Sequence, residues 1–428
     1  MKKSLIALAA LAAASAVSAQ SSVTLYGVVD AAYNNLNATN AGSLSRLTGN
    51  GANQSSRLGF RGVEDLGGGL KASFVLEAAI NVDNGTGTTS TSNNQTLGQS
   101  ATTGTGAPFA GNASSSAAGQ QGLTFNRRST VSLEGAFGEV RLGRDYVPTF
   151  WNQTAYDPFG TVGVGASTNV SLGTLNPIGV SVAPPGSPKA TVRSSNSIGY
   201  FTPNFGGFTA QVMYAFSEAP SNCTAFGTPA AGTSVANSCP GASGDGKYVG
   251  ARALYNNGPI SASIAFGKNT FNNSATPASA GLTGTQFRGN ANTVTLGGSY
   301  DFGVAKAMAQ YGTYKQQANL NQGVPTDQKL THYLLGVSVP VGAGEFKASY
   351  NWGKLDKTAA VVENSRDQRQ LALGYVYNLS KRSAVYTTYS RMTANGVGAT
   401  ASMGLTSTPV AAGGVSATGY DIGVRHSF

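Results

Sequence analysis

The sequence holds little of what catalysis or a thick apolar core requires. It has two histidines, His332 and His426, and two cysteines, Cys223 and Cys239, in 428 residues. No histidine lies near either cysteine, so no metal-ligand cluster is present and no cofactor is implied. Charged residues make up 11% of the chain and hydrophobic residues 40%, both low for a globular domain. Beyond the N-terminal segment no apolar run is long enough for a membrane-spanning helix. Neither histidine sits near a G-x-S-x-G elbow. The stretch Gly241–Lys247 mimics a phosphate loop, but Tyr248 stands where Ser or Thr must hold magnesium. Basic residues are dispersed rather than striped, so the net charge of +10 does not mark a nucleic-acid site. The chain does not read as an enzyme.

What is present is concentrated at the two ends and in a repeated pattern between them. Residues 1–19 carry Lys2 and Lys3, a short apolar stretch from Leu5, and Val17-Ser18-Ala19 before Gln20. This is the layout of a cleaved export signal, leaving 20–428 as the mature chain. An exported chain meets oxidising conditions, so a disulfide between Cys223 and Cys239 across one polar loop is the simplest reading of that pair. At the other end, Gly419–Phe428 reads GYDIGVRHSF. Tyr420, Ile422, Val424, His426 and Phe428 share one parity; Asp421, Gly423, Arg425 and Ser427 share the other. A strand with one apolar, aromatic-ended face and one polar face suits a wall between lipid and water.

Sixteen alternating segments follow that rule, each about ten residues long, the length of a tilted membrane strand. They are 23–33, 54–64, 69–81, 125–134, 137–145, 192–202, 207–216, 247–255, 260–268, 289–300, 304–314, 328–339, 345–355, 366–377, 383–392 and 416–428. Short turns rich in Gly, Pro, Asn and Asp alternate with long polar connections such as 82–124, 146–191, 217–246 and 393–415. The expected fold is all-β, a 16-stranded antiparallel transmembrane β-barrel with short turns at one end and long loops at the other. A barrel of that size leaves an aqueous channel. By parity Arg57 faces that channel, whereas Leu58 and Phe60 face lipid. Across 125–134 parity is ambiguous, and either Arg127 or Arg128 faces inward.

Several stretches resemble the general porins of Gram-negative outer membranes, especially the anion-preferring trimeric porins of β-proteobacteria. They are Leu25-Tyr26-Gly27-Val28-Val29-Asp30, Ser56–Gly67 (SRLGFRGVEDLG), Leu142-Gly143-Arg144-Asp145-Tyr146 and the terminal Arg425-His426-Ser427-Phe428. The resemblance implies a homotrimer in the outer membrane, in contact with membrane lipid and lipopolysaccharide. It implies that a long third loop, here 146–191, folds into the lumen and narrows it. It carries wall arginines onto Arg57, Arg127 or Arg128, and Arg193, an acid onto Glu77, and a loop acid onto Asp157. It implies that Phe428 is read by the outer-membrane assembly machinery. The function expected is passive diffusion of ions and small hydrophilic solutes with weak preference for small anions. A substrate-specific channel is the alternative, kept open by Trp151, Tyr156 and Phe159 in the third loop.

Overall fold

The computed structural model describes residues 22–88, 122–171, 191–217, 244, 246–273, 287–320, 324–325, 327–358, 366–396, 399–404 and 413–428. The expected signal segment 1–19 and the Cys223–Cys239 pair lie outside the described residues.

The strands are β1 (Ser22–Ala38), β2 (Gly42–Leu47), β3 (Arg57–Gly67), β4 (Leu70–Ala79), β5 (Arg128–Gly135), β6 (Gly138–Tyr146), β7 (Arg193–Phe201), β8 (Phe208–Ala215) and β9 (Tyr248–Asn257). They continue as β10 (Ile260–Asn273), β11 (Phe287–Asp301), β12 (Lys306–Leu320), β13 (Val324–Pro325), β14 (Asp327–Val341), β15 (Gly344–Thr358), β16 (Arg366–Asn378), β17 (Ser383–Asn395) and β18 (Gly414–Ser427). Sixteen of these build the wall. The short β2 folds back on the upper part of β1, and the two-residue β13 extends β12 beyond its pairing with β14. Neither was legible as a separate strand, because neither is long enough to show a period.

Every pairing is antiparallel, and β1 pairs with both β3 and β18, so the sheet closes on itself. The seam runs from Val28 opposite Ser427 to Ala38 opposite Ala417. Closure is what lipid demands, since an open edge would leave unpaired N–H and C=O groups in hydrocarbon. Along β18 the expected parity holds. Asp421 and Gly423 are buried on the inside, while Ile422 and Val424 are more than half exposed on the outside.

Two of the expected segments are shifted. Residues 54–56 are not in β3 but form a turn held by the Asp30 carboxylate, which accepts backbone N–H bonds from Asn53 at 3.1 Å and Gln54 at 2.6 Å. Residues 125–127 precede β5, which begins at Arg128. Alternation is therefore not enforced at Arg127, and the parity conflict seen in the sequence disappears. A further irregularity separates Gly143 and Asp145 on β6 from their partners on β7, where Asn196 takes a left-handed φ of 54°. The extra residue re-aims the start of β7.

Phe428 sits at the base of the seam. Its backbone exchanges hydrogen bonds with Gly27, N to O and O to N, both at 3.1 Å. A Cβ on Gly27 would stand 2.4 Å from the Phe428 ring. Gly27→Val is therefore expected to lower the heat resistance of the folded barrel by about 1–3 kcal/mol. The same Cβ would stand 2.7 Å from the Arg57 carbonyl oxygen, so adding Phe428→Ala should recover only part of that loss in a thermal-shift series on gels. Equal losses in the single and double variants would contradict the contact.

Candidate constriction zone

Strands β3 to β7 carry an arginine-rich inner wall. Glu77 on β4 is its centre, with a side chain 9% exposed. Its carboxylate takes Arg127 Nε at 2.6 Å, Arg57 Nε at 3.5 Å and the Tyr26 hydroxyl at 3.2 Å. Arg127 also donates from Nη2 to the Tyr146 hydroxyl at 2.6 Å, and Arg193 donates to the same oxygen at 2.7 Å. The Arg193 guanidinium lies 4.3 Å from the centre of the Tyr146 ring. A second acid, Asp145, pairs with Arg128 at 3.0 Å and with Arg141. Arg141 in turn reaches Glu139 at 2.8 Å. Arg144 donates to the Asn126 carbonyl at 2.7 Å and to the Ser195 hydroxyl at 2.6 Å.

Six guanidinium groups thus share this wall with three carboxylates, and four of the six are in ion pairs with them. The structure brings Arg57, Arg127, Arg193 and Glu77 into one network and places Arg128 in an adjoining one centred on Asp145. Arg127 and Arg128 can both be engaged, one with Glu77 and the other with Asp145, because the first precedes the strand and the second opens it. Sequence reading missed Arg141, Arg144, Asp145 and Tyr146 as members. The inward parity of Arg141 and Asp145 was available from Leu142, which is lipid-facing, but the irregularity opposite Asn196 hid what lies above it.

The residues after Tyr146 form a helix, α1 (Pro148–Ala155), with proline in its first turn where its missing N–H costs nothing. A single further turn, α2 (Thr168–Ser171), follows. Phe150 stacks on Tyr146 at 5.6 Å and 7°, and Trp151 lies 5.0 Å from it. From there the segment touches inward-parity positions of distant strands. Asn152 donates to Thr295 O at 3.1 Å and accepts from Arg252 Nε at 3.3 Å. Gln310 donates to the Gln153 carbonyl at 2.7 Å, and the Tyr156 and Ser261 hydroxyls are 2.9 Å apart. Val164 N–H donates to Asp421 at 3.0 Å, while its carbonyl accepts from Gln370 at 2.7 Å. Wall glycines make room for the larger side chains: a Cβ on Gly297, Gly336 or Gly374 would collide with Tyr156, Pro158 or Phe159 respectively. The aromatic residues that kept a solute-specific path open are thus in contact with the wall.

Asp157 is fully enclosed within its own segment. Its carboxylate accepts the N–H groups of Phe159 at 2.9 Å, Ser167 at 2.9 Å and Thr161 at 3.2 Å. Burial pushes its pKa up, opposed by those donors. None of the ion pairs among the described residues involves it.

The Gram-negative porin family model matches residues 5–397. The chain belongs to the Gram-negative porin family. Outer membrane porin protein 32 of Delftia acidovorans is 39% identical to this porin over the full length of both chains. An outer membrane porin of Bordetella pertussis is 28% identical, covering 90% of this chain and 93% of that one. Among solved structures, an anion-selective porin from Comamonas acidovorans superposes with a TM-score of 0.67 at 35% identity, over 96% of this porin and all of the other. The porin therefore resides in the outer membrane and forms a passive channel there.

Within this porin, Glu77 holds two arginines in place in a largely enclosed setting. Glu77→Gln keeps the shape but removes the charge that both guanidinium groups need. A loss of about 1–3 kcal/mol in unfolding free energy is expected. Urea titration of the refolded porin in detergent checks it, with Glu134→Gln at the exposed base of β5 as a control near zero.

Proposed function

We propose that the porin is a general diffusion channel with a weak preference for small anions, and that the arginine wall of β3 to β7 supplies the preference. The observation that carries this reading is the excess of guanidinium over carboxylate on that wall. The acids on the neighbouring strands do not offset it. Asp30 is committed to the N–H groups of 52–54 and to the Tyr386 hydroxyl, and Asp421 to Asn34 and Val164. Arginine stays protonated at every relevant pH, so the bias is permanent. Low-dielectric walls concentrate its field in the water path. The anion-selective porin from Comamonas acidovorans, 35% identical, supports the same reading.

The segment 147–171 is the element that narrows the lumen in this proposal. Its contacts with Thr295, Gln310, Asp421 and Gln370 support that role, because these residues lie on widely separated strands. Asp157 acts as its internal brace rather than as a charge offered to passing ions. Arg57, Arg127, Arg128, Arg193 and Glu77 form the facing wall. Selection by field and width, without bond making, is all the channel does, and no enzymatic step is assigned to it. The unit in the membrane is a homotrimer, a state the family resemblance implies. Residues 1–19 direct export and are removed.

Arg57, with a side chain 25% exposed, is the most exposed of the ion-paired wall arginines. Replacing it by Ser should lower the anion-to-cation permeability ratio about twofold, the weight of one charge several ångströms from the path in water. Arg57→Ser combined with Arg193→Ser should lower it further. Reversal potentials in a salt gradient across planar bilayers measure both, and an unchanged potential in the double variant removes the wall from the filter. Large ohmic steps with no micromolar block by a single solute separate general diffusion from a substrate-specific channel.

Phe428 is also the assembly signal in this proposal. Its deletion should reduce the amount of porin reaching the outer membrane, while each channel that does insert conducts normally. Quantitative immunoblots of membrane fractions together with single-channel recording test this.

A further inference from the structure

Above Val28 the neighbour of β1 changes. β3 pairs with β1 only from Ser22 to Val28, and β2 takes over from Tyr33. Between them the chain leaves the wall, and two hydroxyls keep the β1 backbone satisfied. Ser56 Oγ accepts the Asp30 N–H at 2.9 Å and donates to the Asp30 carbonyl at 3.0 Å. Thr48 Oγ1 accepts the Ala32 N–H at 3.2 Å, and the Thr48 N–H donates to the Ala32 carbonyl at 2.8 Å. Residues 49–55 are thereby released to turn into the barrel. Ala52 is buried there in one cluster with Val376, Ala384 and Tyr386 of β16 and β17. Gly51 makes the turn with a left-handed φ of 82°, where a Cβ would stand 2.2 Å from the Gln54 carbonyl oxygen. A Cβ on Gly163 would stand 2.2 Å from the Ala52 carbonyl oxygen, so this turn touches the segment 147–171.

One carboxylate shapes the turn, and the turn holds a cation on each flank. Asp30 is fully enclosed and accepts from the N–H groups of Ala52, Asn53 and Gln54 and from the Tyr386 hydroxyl. On the β3 side, Arg57 Nη1 donates to the Ser55 carbonyl at 2.9 Å. That bond keeps Arg57 Nε 3.5 Å from Glu77, whereas Arg127 Nε closes to 2.6 Å. On the β18 side stands Arg425, which shares the inward parity of Asp421 and Gly423 and lies opposite Asp30 in register. It donates from Nη1 to the Asn53 side-chain oxygen at 2.8 Å. No carboxylate pairs with Arg425 among the described residues, and its buried Nε has no hydrogen-bond partner there. Its charge is therefore left uncompensated on the inner face.

We propose that Arg425 is a further specificity-determining residue of the channel, and that Asp30 is its positioning residue through the turn that also holds Arg57. The inference rests on the reading of the porin as a channel with weak anion preference. β3 and β18 flank β1, so the two arginines start from strands roughly 10 Å apart. That is about one Debye length in physiological salt, and their fields overlap in the water between them. The role of Asp30 has the opposite sign to its charge, since here an acid supports anion preference. Its own charge is spent on the four donors of the turn and Tyr386. Without that frame Arg57 is free to close on Glu77, which cancels its charge, and Arg425 loses its tether at Asn53.

The test is the reversal potential in a salt gradient, recorded on the porin inserted in planar bilayers. Arg425→Gln should lower the anion-to-cation permeability ratio about twofold. Asn53→Ala changes no charge and should shift the ratio in the same direction, with no added effect when combined with Arg425→Gln. Asp30→Asn should also lower the ratio, because its amide turns a donor toward the N–H groups of the turn. If Asp30 acted through its charge alone, removing it would raise the ratio, and that result overturns the positioning role. Lys381→Gln, in the short turn after β16, should change nothing. An unchanged potential in Arg425→Gln overturns the proposal. Should Arg57→Ser with Arg193→Ser shift the potential while Arg425→Gln does not, the anion reading stands and this inference alone falls; if neither shifts it, both fall. Where Asp30→Asn fails to fold, Asn53→Ala decides, since it keeps the backbone bond to Asp30, and an unchanged potential there removes the positioning role.

Discussion

Hydrocarbon offers no partner to a peptide group, and that one constraint fixes the architecture of this porin. Each strand must pair on both sides, so the sheet has to close, and β1 meets β18 along the seam that ends at Ala38 and Ala417. Closure sets the alternation of side chains, with bulky apolar residues outside and small or polar ones inside. The low apolar content follows from the same cause. A barrel has no central core to fill, and its interior clusters occur where loop segments meet the wall, as around Leu36, Val164 and Met392.

Inside the closed wall a second order is built from hydrogen bonds and ion pairs. Buried arginines are tolerated because each guanidinium finds a carboxylate, a phenol or a carbonyl in a fixed direction. The segment 147–171 is fastened in the same manner, by bonds from Asn152, Val164 and the wall glutamines. Asp157 contributes only to the segment itself, organising three successive turns of chain around one carboxylate. In the proposed channel the charge is therefore held by rigid strands, and the width by a braced loop.

Much of this was legible in the sequence, for physical reasons that differ by region. Strands in lipid have no freedom of period, so β16 and β18 match their sequence boundaries within two residues. Arg57 could be placed by parity, and Glu77 by the family resemblance. The wall above β5 and β6 could not. Arg127 lies before a strand, and the bulge near Asn196 breaks the count for Arg193. The partnerships of Arg141, Arg144 and Tyr146 depend on those same irregularities. Asp157 looked like an available acid because its spacing from Ser167 gives no sign that the chain turns back on it. Short additions such as β2 are invisible to any pattern of period two.

The Tyr146 hydroxyl receives two guanidinium groups while its ring is stacked against Phe150 and Trp151. One phenol thereby joins the charged wall to the first helix of the segment facing it. A substitution that tilts the helix would also drag the cations, and one that shifts the cations would tilt the helix. In the proposed channel, throughput and ion preference would then change together, because one side chain is shared between the element of width and the element of charge.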